Sequence, residues 1–310
     1  MITTVTLNPM LDKTVYVDRI RRGETSRASK IETVVGGKGI NVARQLKHLE
    51  IKTLATGFAG GETGDLIDRL LNEEHILHEF VRVGGMTREG VTYRELDGTV
   101  TAVFEPAHQI TSEEAQKLVE CVAEKIPQST WVVCSGSSPS EAADEVFAGI
   151  IQLATKQSVK SVLDSYGKVC WKAIESMPTI LKINKDEYEK TFGKTLLSEK
   201  DYHIAFDELT RLGIHCSIIT DGDRPVYATA NDSHRLKIIP PTIKAVNSTG
   251  CGDSMVAACL YALSSGWEIE RALAFGVAAG AANAGRWGIA NSPLSDIVLL
   301  EQAVSIERMN

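Results

Sequence analysis

The chain lacks any Cys-x-x-Cys pair, any zinc-like Cys/His spacing and any two histidines at ligand spacing. Its six cysteines (121, 134, 170, 216, 251 and 259) therefore read as buried or free thiols of a reducing cytosol, not as a disulfide framework. No block of like charges occurs. With 33 Lys+Arg against 40 Asp+Glu and a net charge of −7, there is no clustered basic surface to follow a phosphate backbone, so no nucleic-acid partner is expected. An anionic small molecule is not excluded, since a site needs only a few local cations. The N-terminus has no basic region followed by a long apolar core. The longest apolar stretch, Ala272–Ala284, is interrupted by Asn283 and falls short of the ~20 residues of a membrane span. No internal repeat, low-complexity tract or linker is visible. The expectation is a soluble, cytoplasmic protein with neither membrane nor nucleic-acid partners.

At 310 residues, 43% apolar and 24% charged, the chain can form one large α/β domain or two smaller ones with a substantial core. Strand-like and helix-like segments alternate: strand Ile2–Leu7, helix Gly39–Leu49, strand Lys52–Phe58, helix Asp65–Glu74, then helix Ser112–Ile126, strand Trp131–Cys134, helix Ala142–Thr155 and strand Ser161–Asp164. Strand Thr179–Ile183, helices at Asp186–Thr191 and Tyr202–Leu212, and strand His215–Thr220 continue the pattern. Such alternation predicts a mainly parallel sheet with helices on both faces. Two regions break it. Thr14–Val17 with Ser29–Val35, and Val91–Leu96 with Val100–Phe104, are strand-rich without helices, and Asp97-Gly98 is a hairpin signal. A single domain over 1–310 is expected, with a small β accessory built from roughly 12–36 and 88–105.

The most informative segment is Asn247-Ser-Thr-Gly-Cys-Gly-Asp-Ser254. Two glycines before a helix, which reads as Met255–Leu263, let free backbone amides converge on an anion, favoured further by the helix dipole. Asp253 beside such a hole repels a bound phosphate unless it takes a proton from the group attacking that phosphate. Gly36-Gly37-Lys38-Gly39-Ile40-Asn41 again sets glycines before a helix, with a cation, but it is not a Walker A loop because the spacing and the Lys-Ser/Thr pair are missing. Thr6-Leu7-Asn8-Pro9 ends the first strand with Asp12 close behind, reading either as a strand-ending turn or as the rim of a ligand crevice. Gly136 lies in a tight turn, and Asp164 ends a strand, where an acid caps a helix as readily as it binds a ligand. Asn184 and Glu187, three apart, read either as a capping box or as a water-mediated Mg²⁺ anchor beside Lys182. Thr220-Asp221-Gly222-Asp223 is a turn or a loop against a nucleotide.

Together these pieces resemble the ribokinase-like PfkB carbohydrate kinases, nearly end to end from Thr6-Leu-Asn-Pro9 to Gly288. Asn247–Ser254 resembles the family's closing signature and Gly36–Asn41 its early glycine motif. Thr-Leu-Asn-Pro and Gly-Gly-Lys-Gly-x-Asn are similar to the branch containing 1-phosphofructokinase and tagatose-6-phosphate kinase. The resemblance implies a ribokinase-like three-layer α/β fold with a small β-sheet lid. It also implies ATP-dependent phosphorylation of a ketohexose phosphate, fructose 1-phosphate ahead of tagatose 6-phosphate. Asp253 would be the base, with amides of Gly250, Cys251 and Gly252 on the transferring phosphoryl group. Asp12, Gly37 and Asn41 would bind the sugar, and Lys38, Arg27 and Arg88 its phosphate. Lys182, Thr220, Gly222 and Asn283 would meet the nucleotide, and Asn184 and Glu187 would hold Mg²⁺ through water. ATP as co-substrate, Mg²⁺, a monovalent cation and a homodimer through the lid complete what it implies.

The chain departs from the family pattern at four places: Ile183 where proline is usual, Ser165-Tyr166 for Ser-Gly, Cys251 for alanine, and Pro225 for a second glycine in the nucleotide loop. Proline fixes φ and removes an N–H. Two other readings stand beside the leading one: a kinase of an unphosphorylated sugar or nucleoside, and a ligand-binding regulator without turnover.

Overall fold

The structure, a computed structural model, describes residues 1–230 and 234–309. The first strand, β1 (Ile2–Thr6), is buried along its whole length. β2 (Met10–Val17) and β3 (Lys30–Gly36) leave the main body, and α1 (Lys38–His48) returns to it. There follow β4 (Thr53–Ala59), α2 (Gly61–Glu73), β5 (His78–Arg82), β6 (Glu89–Glu95), β7 (Val100–Phe104), α3 (Ser112–Lys125), β8 (Trp131–Ser135), α4 (Val146–Lys156), β9 (Lys160–Asp164), α5 (Gly167–Ile174) and β10 (Ile180–Asn184). The remainder is α6 (Lys185–Phe192), α7 (Glu199–Arg211), β11 (Ser217–Thr220), β12 (Val226–Ala230), β13 (His234–Ile239), α8 (Cys251–Ser264), α9 (Ile269–Ala284), α10 (Leu294–Glu301) and β14 (Ser305–Arg308).

The large sheet runs β14-β13-β12-β11-β10-β9-β8-β1-β4-β5. It is parallel from β5 through β11 and antiparallel from β11 to β14. Because successive side chains point to opposite faces, adjacent residues feed different cores. Val132, Cys134, Leu163 and Leu181 pack with α3, α4 and α7. Trp131, Val133, Val162 and Ile180 pack with α1, α8 and α9. Helices on both faces explain why these strands read as continuous apolar runs. A separate four-stranded sheet, β3-β2-β6-β7, holds the two regions that break the sequence rhythm. Gly98, at φ 90°, makes the β6–β7 turn, with Asp97 Oδ1 accepting from Thr99 N at 2.9 Å.

Strand order reverses at β1: the chain moves outward through β4 and β5 on one side and through β8 to β11 on the other. Ligands of open α/β sheets sit beyond the carboxyl ends of the strands at such a point, here between β1 and β8. Several elements were not expected from the sequence, namely β5, α5, β12, β13, α9, α10 and β14. The expected helix Ala142–Thr155 begins only at Val146, because residues 141–143 form a 3₁₀ turn. Among the described residues, no helix is long and apolar enough to cross a membrane.

Candidate active site

A cavity of about 350 Å³ opens at the strand reversal. β1 delivers Thr6 and Asn8, β8 delivers Gly136 and Ser137, and β10 delivers Lys182 and Asn184. The start of α1 adds Gly37, Lys38 and Asn41. The start of α8 adds Gly250, Gly252 and Asp253, and the small sheet closes the far wall with Asp12 and Arg88. Two helix N-termini therefore point into one space, each presenting amides without intrahelical acceptors. Gly250 adopts φ 82°, and a Cβ there would lie 2.8 Å from Ile289 Cγ2, so this turn requires glycine.

Charges at the floor of the cavity form a network. Asp164, fully buried, accepts from Lys38 Nζ at 2.8 Å and Lys182 Nζ at 3.2 Å. Those two ammonium groups hold its carboxyl below the ordinary range against the opposing effect of burial. Lys38 also bonds Glu187 Oε1 at 2.7 Å and lies 5.9 Å from the centre of the Tyr166 ring. Asp253 is 5% exposed and accepts from Asn41 Nδ2 at 2.8 Å. Burial first, and the nearby Asp164 charge second, push its carboxyl up to about 6, against Lys38, Asn41 and Lys182. It is thus poised to exchange a proton near neutrality.

Other polar atoms in the site lack protein partners. Asn8 Oδ1, Asp12 Oδ1, Thr6 Oγ1 and Arg88 Nε are buried without a hydrogen bond, although buried polar groups are normally bonded. Arg88 makes no ion pair among the described residues; only Nη2 donates, to Asn8 O at 3.4 Å, and burial pulls its guanidinium down from its ordinary value. Burial likewise pushes the Asp12 carboxyl up, with Thr92 opposing. A wall of waiting oxygens beside an unneutralised guanidinium suits a polyhydroxylated anion.

Not every residue singled out in the sequence reaches this cavity. Arg27 is exposed on the connection between β2 and β3 and does not line it. Lys38 does, but its ammonium is committed to Asp164 and Glu187. Cys251 does not line the cavity: its Sγ lies 3.3 Å from Asn283 Nδ2, and its amide makes a long contact of 3.4 Å to Ser248 O. Asn283 is fully buried and does not line the cavity. It donates to Thr249 O at 2.8 Å and accepts from Ala290 N at 2.7 Å, so it clamps the glycine turn. Thr220 lies beside Asn184 in the β10–β11 register, yet neither it nor Gly222 lines the cavity. Asp221, Arg224 and Pro225 instead border a second cavity of about 260 Å³.

The two readings of Asn184 and Glu187 meet here. Asn184 Oδ1 accepts from Glu187 N at 2.8 Å, and Glu187 Oε2 accepts from Asn184 N at 3.1 Å, so the capping box forms. Among the described residues no group of three His, Cys, Asp or Glu side chains could hold a metal. Glu187 does not line the cavity, and its two oxygens accept from Lys38 Nζ and Asn184 N, so a metal ion here would take most of its donors from substrate phosphates and water. Sequence reasoning missed the Asp164 bridge, Ser137, and Arg44, whose Nη1 donates to Asn41 Oδ1 at 2.8 Å. The signal for Arg44 was a charged residue three positions after Asn41, on the same face of α1.

A large, mostly parallel sheet with helices on both faces and a small separate sheet beside the crevice at the strand reversal make this a ribokinase-like fold. The chain belongs to the pfkB family carbohydrate kinases, whose pattern matches residues 5–296. It is 33% identical over 285 residues to a 1-phosphofructokinase of Bacillus subtilis (strain 168), covering 92% of each chain. It is 29% identical over 260 residues to a tagatose-6-phosphate kinase of Staphylococcus epidermidis, covering 83% of each. The crystal structure of phosphofructokinase-2 from Escherichia coli in complex with potassium superimposes with a TM-score of 0.90 at 27% identity, over 97% of this chain and 98% of that one.

Proposed function

We propose that this protein transfers the γ-phosphoryl group of ATP to a ketohexose phosphate, with fructose 1-phosphate yielding fructose 1,6-bisphosphate. The observation that carries the reading is the pairing of Asp253, beneath the α8 amides, with the un-ion-paired Arg88 across the same cavity. A neutral sugar has no need of Arg88. The named relatives, a 1-phosphofructokinase and a tagatose-6-phosphate kinase, supply the substrate class.

In this mechanism Asn8, Asp12 and Gly37 hold the sugar hydroxyls, and Arg88 grips the phosphate already present. Asp253 takes the proton of the free 6-hydroxyl as its oxygen attacks the γ-phosphorus, and ADP departs. The amides of Gly250, Cys251 and Gly252 stabilise the charge on the transferring group, and Lys182 adds a cation beneath it. The rate therefore comes from positioning and electrostatics. Bound Mg²⁺ would neutralise nucleotide phosphate charge, and Asn184 and Glu187 would hold it through water. The nucleotide enters along the edge carrying Asn184, Thr220 and Gly222, and a monovalent cation accompanies turnover. The small sheet serves as a lid within a single kinase domain, and its unpaired edges, β3 and β7, are the surface through which two copies would pair. Six free thiols accord with a cytoplasmic location.

The test is a coupled ADP-release assay across fructose 1-phosphate, fructose 6-phosphate, tagatose 6-phosphate and neutral sugars. Turnover is expected on phosphorylated ketohexoses, fastest with fructose 1-phosphate. Activity only on neutral sugars would remove the phosphosugar reading, and binding without ADP release would mark the chain as a regulator.

A further inference from the structure

We infer that Arg44 is a positioning residue for the reaction, fixing the Asn41 carboxamide so that its NH₂ group always faces Asp253. The inference rests on the reading of Asp253 as the base. Arg44 is 6% exposed and held at every nitrogen. Nε and Nη2 grip the Glu74 carboxylate, at 2.5 and 3.0 Å. Nη2 also donates to Val35 O at 2.8 Å, and Nη1 donates to Asn41 Oδ1 at 2.8 Å. The result is a continuous chain, Glu74–Arg44–Asn41–Asp253, that runs from the end of α2 to the floor of the cavity.

The donor inventory makes the chain directional. A guanidinium has five N–H donors and no acceptor, so whatever faces it must accept. Asn41 must therefore turn its oxygen to Arg44 and its NH₂ to Asp253. An NH₂ beside Asp253 stabilises the carboxylate, whereas an amide oxygen there would stabilise the protonated acid. The groups facing Asp253 from neighbouring elements set the balance. Asp164, at the end of β9, and burial disfavour its charge; Lys38 and Asn41 on α1 and Lys182 on β10 favour it. Cys251, on its own helix, has its thiol turned to Asn283. Asn41 is the one hydrogen-bond donor in that set able to invert its effect by rotating. The contacts to Glu74 and Val35 anchor Nε and Nη2, and Nη1 is given to Asn41 Oδ1. The fourth contact, to Asn41, is the one that reaches the chemistry.

The test compares kcat/KM against pH for wild type, Arg44→Met, Arg44→Lys, Glu74→Gln and Asp253→Asn with ATP and fructose 1-phosphate. The sugar phosphate's own ionisation near pH 6 is common to all arms and cancels in the comparison. For Arg44→Met the acid limb is expected to move up by about one pH unit. Its rate would fall about 5-fold at pH 6 and recover to within about 3-fold of wild type at pH 8.5, with KM for the sugar phosphate changed less than about 3-fold. Arg44→Lys keeps a donor and should give a smaller shift. Glu74→Gln, which loosens the anchor at the half-exposed end, should shift the limb the same way. A structural arginine would lower Tm and leave the limb in place. An unmoved limb in folded Arg44→Met overturns the inference; if that variant does not fold, an unmoved limb in Glu74→Gln does so. Near-normal turnover of Asp253→Asn would remove the base assignment and this inference together, whereas an inactive Asp253→Asn beside an unmoved Arg44→Met removes this inference alone.

Discussion

Asp253 occupies a place where a carboxylate is costly, and the cost is the sign of its use. Burial and Asp164 raise its pKa from an ordinary 3.8 to about 6. A group whose folded pKa is raised contributes stability that is complete below its unfolded pKa and lost as pH rises through the folded value. At pH 7.5 the ionised Asp253 therefore destabilises the fold. Asp253→Asn is expected to lower kcat by at least ~10²-fold, the scale of a positioned base. The same change should raise Tm at pH 7.5 by about 2–4 °C, a gain that fades as pH falls from 6 toward 4. Thermal scans across pH 4–8 check this, and a lower Tm at pH 7.5 would count against the assignment. Asp164→Asn should act in the opposite direction, because it strands the buried Lys182 without its anion and leaves Lys38 with Glu187 alone. A loss of about 3–5 kcal/mol in urea unfolding is expected, together with loss of turnover. Asp253 and Asn41 stood out in the sequence because each sits in a glycine motif ahead of a helix, whereas Arg88 entered only through the family resemblance. The Asp164 role was not visible, since its partner Lys38 lies 126 positions away and a strand-ending acid reads equally well as a cap. Arg44 was overlooked for a related reason: its worth depends on which way a neighbouring amide faces.

At the scale of elements, the start of α8 and the small sheet must be placed correctly relative to each other. Gly252 matters through space rather than dihedral freedom: a Cβ there would lie 2.5 Å from Lys182 Nζ. Gly252→Ala is expected to push the flexible Lys182 side chain aside while its ion pair with Asp164 persists, and to lower kcat about 10-fold or more, with only a small change in Tm. Comparison of kcat with thermal stability checks the split. The small sheet is tied to the loop after α9 by a cluster around Trp287. Arg94 lies 3.7 Å over its ring, and its Nε1 donates to Glu32 Oε2 at 3.2 Å, which also accepts from Tyr16. β2, β3 and β6 thus all meet the segment that carries Ile289, the neighbour of Gly250. Trp287→Ala should loosen the sheet and raise KM for the sugar phosphate several-fold, given about 1–2 kcal/mol for a desolvated cation–π contact, with a smaller effect on kcat. The sequence announced the β6–β7 hairpin through Asp97-Gly98, and the parallel strands through their apolar runs. It did not announce β5 or β14. β5 is a short outermost strand with mixed polarity, and β14 is exposed at every position, so neither carries a buried stripe. The Trp287 cluster was hidden because cation, ring and acid come from four separate segments.

For the whole molecule, the alternation of strands and helices fixed the three-layer plan, and the strand reversal at β1 determined where a ligand would sit. Alternation alone could not show that the sheet continues antiparallel through β12, β13 and β14, since a hairpin extension and another βαβ unit differ only in what lies between strands. The resulting architecture is unequal in stability. β1 and β4 are buried at every residue and sit between paired neighbours, whereas β7 is exposed at every residue and pairs on one side only. Local opening follows such differences in burial and pairing, so amides of Val100–Phe104 should exchange with solvent well before those of Ile2–Thr6. The cavity joins the two regimes, because Asp12 and Arg88 lie in or next to the small sheet, while Lys182 lies in the large sheet and Asp253 on a helix packed against it. A ligand bridging both stabilises only states in which they are together. Hydrogen exchange followed by mass spectrometry should therefore show Met10–Val17 and Glu89–Glu95 slowing at least ~10-fold with fructose 1-phosphate at 100 times its Kd. Lys160–Asp164 and Ile180–Asn184 should change little, since they are already closed in the free protein. Protection confined to the large sheet would mean that the small sheet takes no part in holding the sugar phosphate, and Arg88 would lose its role.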